Sequence, residues 1–253
     1  MITDVSELGT VLGVWAHPDD EAYLSGGLMA AARSGGQRVF VLTATRGERG
    51  TPDPVAWPPE RLANHRELEL DRSLDALGVT EHAVLGHSDG GCADVPLEIG
   101  AAQVAGTIDA IEPDTILTFG PDGYTGHSDH RTMSAWVDAA VDWTASNARV
   151  LHATATRPFL DEFAELHRDF DVFFAGQPSV TDPSDLTIDL HMQGHLLDRK
   201  LAALLAQRSQ TEALIERMGM GRFRRWVSSE RFADPAFTRT EHDETDHSTF
   251  ATL

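Results

Sequence analysis

Short apolar runs alternate with amphipathic stretches from residue 10 onward. Thr10–Trp15, Arg38–Ala44, His82–Gly86, Thr115–Phe119 and Arg149–Ala153 are mostly apolar and of strand length. Within Arg38–Ala44, the continuous apolar Val39-Phe40-Val41-Leu42 makes that run a buried-strand candidate. Between them, Glu21–Ser34, Glu60–Leu77, Leu97–Ile111 and Ser128–Trp143 carry apolar residues at helical spacing. Leu24, Leu28 and Ala31 share a face of the first helix, which Gly35-Gly36 stops. Leu62, Leu68, Leu74 and Leu77 run along the second, closed by Gly78. Gly47–Pro59, rich in Gly and Pro, reads as a loop. This alternation predicts a Rossmann-like open, mostly parallel sheet with helices on both faces. Past residue 155 the pattern is less regular, with a strand near Leu186–Leu190, a helix from about Leu196 to Met218 and a polar tail after Phe237. The expected organisation is one domain over 1–253, with a core at 1–155 and a C-terminal elaboration at 156–253.

Two polar knots break the apolar pattern. Ala16-His17-Pro18-Asp19-Asp20-Glu21 follows the first strand, and His127-Ser128-Asp129-His130 follows the fourth. Clustered ionisable groups are costly to fold unless each keeps water or finds a partner. In an open parallel sheet, ligands bind beyond the carboxyl ends of the strands, where the strand order reverses. If strand one is central, with two and three on one side and four on the other, both knots meet at that point. His17 and Asp20 are three apart, as are His127 and His130, which puts each pair on one face of a helix start. Two His and one carboxylate leave one tetrahedral position open, the make-up of a catalytic zinc site. Asp19 is the nearest spare carboxylate to take a proton from an acidified water. Against this, paired acids before a helix are often only favourable charges at its positive end. That reading does not explain a His-Pro immediately before them.

Composition narrows the partners. Twenty Lys+Arg against forty Asp+Glu give a formal charge of −20, which disfavours nucleic acid and anionic lipid. A single Lys, Lys200, leaves Arg to carry nearly all the positive charge. One cysteine, Cys92, excludes an intrachain disulfide and makes a cytoplasmic home the simpler reading. The N-terminus lacks a basic segment followed by an apolar one, so no signal peptide is expected. No run approaches a membrane span, so stable membrane insertion is not expected.

The two motifs, Ala-His-Pro-Asp-Asp-Glu and Gly-His-Ser-Asp-His, resemble the LmbE-like (PIG-L) family of zinc-dependent N-deacetylases. Three further segments are similar to family motifs: Thr45-Arg46-Gly47-Glu48-Arg49-Gly50, Arg66-Glu67-Leu68-Glu69-Leu70 and Leu85 to Gly90. Lys200 through Gln210 resembles a late family helix in which His is frequent where Gln207 stands. The resemblance implies an LmbE-like deacetylase domain acting on an N-acetylated amino-sugar conjugate, related to those of mycothiol and bacillithiol pathways. By position, His17, Asp20 and His130 would bind Zn²⁺, with Fe²⁺ or another divalent metal as alternatives. Asp19 would be the general base, and His127 would stabilise the oxyanion or protonate the leaving amine. Asp129 would orient a histidine, while Arg66 and Asp89 would meet sugar hydroxyls. Tyr124, three residues before His127, would reach the substrate from its loop.

Other residues carry weaker readings. Glu21 either orients a site residue or favours the helix start. Arg46 and Glu48 pin a loop, and Trp57 covers substrate or anchors its own segment. His65, His82, His87 and His152 are read as structural or surface residues, and Cys92 as a packed one. Two other functions compete: a metal-dependent phosphoester hydrolase, and a sugar-binding protein without catalysis. A homo-oligomer is compatible with the sequence.

Overall fold

The computed structural model describes residues 2, 4–173 and 175–238. The polar tail expected after Phe237 falls, past residue 238, outside the described residues. The elements in chain order are β1 (Val11–Trp15), α1 (Asp20–Ser34), β2 (Val39–Thr45), α2 (Pro59–Leu77), β3 (Glu81–His87), α3 (Leu97–Ile111) and β4 (Thr115–Phe119). There follow the short turn α4 (Gly123–Gly126), α5 (Ser128–Thr144), β5 (Arg149–Ala153), α6 (Arg157–Glu162) and α7 (Ala164–Asp169). The chain continues with β6 (Leu186–His191), α8 (Gly194–Ala206), α9 (Arg208–Met218), α10 (Met220–Trp226) and β7 (Ser229–Ala233).

The strands form one sheet in the order β3-β2-β1-β4-β5-β7-β6. The first five are parallel, and β7 and β6 add antiparallel at one edge. The order reverses between β1 and β4, which pair Val11 with Thr115 through Gly13 with Leu117. Both strands are buried at every residue; β1 is wholly apolar, and in β4 the Thr115 and Thr118 hydroxyls donate to the Leu8 and Val14 carbonyls at 2.8 and 3.0 Å. Right-handed crossovers place the helices of the two directions of travel on opposite faces. Accordingly, α1, α2 and α8 pack together, and α3 packs against α5.

The C-terminal part departs from the expected pattern. The helix anticipated over Leu196–Met218 is two helices, broken at Gln207, whose backbone leaves the helical region (φ −92, ψ 54). That break sends the Gln207 amide inward, where Nε2 donates to Glu21 Oε1 at 2.7 Å and to Ser73 Oγ at 3.2 Å. Strand β7 was hidden in the sequence by three charged or polar residues among five (Ser229-Glu230-Arg231). Among the described residues, no helix is long and apolar enough to cross a membrane.

Candidate metal centre and active-site cleft

The β1 and β4 ends bring the two polar knots together. His17 Nδ1 lies 3.2 Å from His130 Nε2. Asp20 Oδ2 is 3.5 Å from His17 Nδ1, and Asp20 Oδ1 is 3.5 Å from His130 Nε2. The surrounding hydrogen bonds decide which nitrogens carry lone pairs. His130 Nδ1 faces the Gly123 carbonyl at 2.9 Å, which can only accept, so Nε2 carries the lone pair. His17 Nε2 faces Asp129 Oδ2 at 3.1 Å and Asp89 Oδ1 at 3.2 Å, so its proton sits there and leaves Nδ1 bare in the neutral ring. Three electron-rich atoms thus converge on one point, which needs a positive charge between them. Burial opposes charge on His17, yet Asp129, Asp20 and Asp89 hold it well above the usual imidazole range. Burial pushes His130 down to about 4. This donor set fits a divalent cation: two imidazoles and a carboxylate, each ring oriented through its far nitrogen.

His127 differs from these two. It is the N-cap of α5, and its Nδ1 accepts the Asp129 backbone N–H at 3.1 Å. An accepting Nδ1 puts the neutral ring's proton on Nε2. His127 is therefore arranged as a hydrogen-bond donor, although its ring packs edge-on against His17 at 4.8 Å and its ligating atom falls within 4.8 Å of those of His17 and His130. Asp129, fully buried, also accepts from the Gly90 and Cys92 N–H groups at 2.7 and 3.1 Å.

Asp19, next to Asp20 in the chain, lines the same cleft in a left-handed backbone conformation, φ 117 and ψ −30. Such a conformation costs a non-glycine residue about 1–3 kcal/mol and persists only when neighbours enforce it. Its N–H donates to Glu21 Oε2 at 2.9 Å, and Glu21 is braced in turn by Ser73 and Gln207. Burial pushes Glu21 up to about 8 and Asp19 up to about 7, the latter against the pull of Arg66. Arg66, buried in α2, faces Asp19 Oδ2 at 3.3 Å and donates to the Pro18 and Gly47 carbonyls. A side chain at Gly47 would collide with that guanidinium, with a Cβ 2.2 Å from Arg66 Nη1.

The cleft over this centre is lined by His17, Asp19, Asp20, Arg66, Asp89, His127 and His130, together with Arg49, Gly50, Gly90, Thr125 and Gln210. Eight of the nine residues singled out from the sequence therefore meet here or, like Asp129, directly behind it. Arg66 and Asp89 reach the cleft wall, but their polar atoms already engage Asp19 and His17. Tyr124 instead lines a neighbouring aromatic pocket, its strained backbone (φ 59, ψ −54) turning the ring toward Phe173. Thr125, Arg49 and Gln210 were not picked out. Thr125 Oγ1 lies 3.2 Å from His130 Nδ1, and only its place beside Tyr124 hinted at the site. Glu48 does pin a loop, accepting the Asp89 N–H at 2.9 Å, and Arg46 pairs with Glu67. His87 lies away from the cleft, 2.7 Å from Gln103 Oε1 and packed on Trp136.

Residues 12–141 match the family model described as PIG-L, GlcNAc-PI de-N-acetylase. A Saccharomonospora viridis protein named 1D-myo-inositol 2-acetamido-2-deoxy-alpha-D-glucopyranoside deacetylase is 31% identical over 227 residues, spanning 79% of this chain and 84% of that one. A Catenulispora acidiphila protein named as the corresponding deacetylase 2 is 34% identical over 180 residues, where the match spans only 59% of each. Among solved structures, the N,N'-diacetylchitobiose deacetylase of Pyrococcus horikoshii shares the fold at a TM-score of 0.65 and 21% identity, covering 90% of this chain and 84% of that one.

Proposed function

The chain belongs to the PIG-L family, and from that premise we propose that it is a zinc-dependent hydrolase removing the N-acetyl group of an amino-sugar small molecule. The carrying observation is the convergence of His17 Nδ1, His130 Nε2 and Asp20 on one point, with Asp19 and His127 beside it. His17, Asp20 and His130 hold the metal, and their nitrogen-rich set suits zinc or Fe²⁺ better than magnesium. A divalent ion there supplies Lewis acidity, acidifying water and polarising an amide carbonyl.

The remaining steps belong to side chains of this protein. Asp19, near 7, is matched to accept a proton at neutral pH. Arg66 and the Glu21–Ser73–Gln207 brace hold that carboxylate toward the cleft. His127 donates a hydrogen bond from Nε2–H to the developing oxyanion, and the departing nitrogen takes the proton that Asp19 accepted from water. Asp129 and Asp89 fix the His17 ring through its Nε2. The amino sugar lies in the polar cleft, whose lining includes Arg49, Asp89 and Gln210. On this reading the chain is one deacetylase domain, since β7 extends the core sheet and Gln207 braces Glu21 from the C-terminal part.

The test is release of free amine from a panel of N-acetylated amino sugars, with and without chelator. Zinc-restored release is expected. Asp19→Ala should keep stoichiometric zinc and lose about 10²–10⁴ in turnover. Near-normal turnover in that variant would remove Asp19 from the role of base. Phosphate release without amine release, or sugar binding with no product, would favour the rival functions.

A further inference from the structure

Beside the polar cleft lies a second hollow of about 200 Å³, walled by Tyr23, Leu24, Tyr124, Phe159, Val172 and Trp226. It meets the cleft at the centre itself, since Asp20, Thr125 and His130 line both. Apart from Asp20 and His130 at that junction, its charged wall residues are paired within the protein. Glu230 accepts from Lys200 Nζ at 2.7 Å and from the Gly27 and Leu28 N–H groups. Arg231 pairs with Asp189 at 3.1 Å and lies over the Phe159 ring at 5.1 Å. The hollow therefore offers a largely apolar surface to whatever enters it.

We propose that this hollow is an acyl-chain pocket, and that the protein hydrolyses N-acyl amino sugars whose acyl group is longer than acetyl. The proposal rests on the deacetylase reading above and extends its substrate. Orientation follows from which residues line which hollow. The scissile carbonyl carbon must sit beside Asp20 and His130, at the junction. The departing nitrogen needs a proton donor, and Asp19 and His127 line the cleft but not the pocket. The nitrogen and its sugar thus point into the cleft, which leaves the pocket to the acyl side. An acetyl methyl fills little of that space, being near the volume of one water, about 30 Å³. An apolar cavity of about 150 Å³ holds a benzene ring, so this pocket has room for a chain of roughly six carbons. In the reaction, water's oxygen bonds to the acyl carbon and the C–N bond breaks. The amino sugar leaves as the amine and the chain as its carboxylate.

The experiment compares kcat/KM for glucosamine N-acylated with acetyl, butanoyl, hexanoyl and octanoyl groups, and for an aryl glycoside of N-acetylglucosamine, in zinc-replete protein. Each buried methylene raises kcat/KM by roughly fourfold, so hexanoyl should exceed acetyl by at least tenfold. Leu24→Trp on α1 and Val172→Trp, which follows α7 in the chain, each put an indole into the pocket lining. In each, the hexanoyl-to-acetyl ratio should collapse at least tenfold. Acetyl as the best substrate, with a ratio the two variants leave unchanged, overturns the acyl pocket but leaves the deacetylase reading standing. A preference for the aryl glycoside that both variants abolish assigns the hollow to the aglycone and also overturns it. Absence of amine release from every compound would instead bring down the deacetylase reading itself.

Discussion

Replacing Lys200 by Met should lower the thermal midpoint by about 6–20 °C. Lys200 is the chain's single lysine and, like Glu230, its side chain is fully buried. Its Nζ donates to the Tyr23 carbonyl at 2.6 Å and to Glu230 Oε1 at 2.7 Å. Glu230 in turn accepts the N–H of Gly27, four residues after Tyr23. The ion pair therefore engages both the acceptor and the donor of what is ordinarily one α-helical hydrogen bond. Burial pulls Lys200 below its usual range even though Glu230 opposes the shift. Removing the ammonium leaves a buried carboxylate without its counter-ion, held only by the Gly27 and Leu28 N–H groups, and leaves the Tyr23 carbonyl without that donor. Breaking such a pair costs about 3–5 kcal/mol, and a domain of 150–250 residues loses about 2–4 °C per kcal/mol. Differential scanning calorimetry on the zinc-replete protein reads the shift. Adding Glu230→Gln to Lys200→Met should recover part of the loss, because the neutral amide leaves no buried charge. A single-variant shift below about 2 °C, or a double variant no more stable than the single one, would refute this account of the pair.

Other substitutions probe the site and its surroundings. Asp129→Asn should weaken zinc binding by about 10–100-fold, measured by chelator competition, because it removes the carboxylate that orients His17. Arg66→Met should lower kcat at least tenfold with a smaller change in KM if its task is to hold Asp19, and the reverse split would place it on the substrate. Buried His167, whose Nε2 accepts from Trp226 Nε1 at 3.2 Å, is pushed down to about 4 by burial. Its folded-state value lies below the unfolded one, so its contribution is complete above about pH 6.5 and is lost as pH falls toward 4. Denaturant midpoints should therefore drop between pH 7 and pH 5, and by less in His167→Phe.

The strands β1 to β5 were legible because each apolar run is short and ends in a turn or a polar knot. Placing β1 between β2 and β4, by contrast, was a condition of the reading and not its result; the structure supplies the order β3-β2-β1-β4. Once that order holds, His17 and His130 must approach, although they stand more than a hundred residues apart in the chain. The roles implied for the histidines gained a physical basis only from the assembled hydrogen bonds. Nothing in Gly-His-Ser-Asp-His distinguishes a ring that caps a helix through Nδ1 from one that turns a bare nitrogen inward. Gln207 read as one position in a long helix, because the pull of buried Glu21 on its amide cannot be seen from local pattern. The Lys200–Glu230 pair is equally invisible to local pattern, since its partners stand 30 residues apart and meet only after β7 joins the sheet.

By itself, then, the sequence determined the strands of a parallel sheet and the two polar knots at their ends. Those follow from periodicity and from the handedness of crossovers, which act locally and are written in the residue order. Tertiary structure alone decided which imidazole nitrogen faces inward, that Arg66 braces Asp19, and that an aromatic pocket opens beside the centre. Each depends on side chains from distant elements competing for the same protons and the same space, and no local pattern encodes the outcome of that competition.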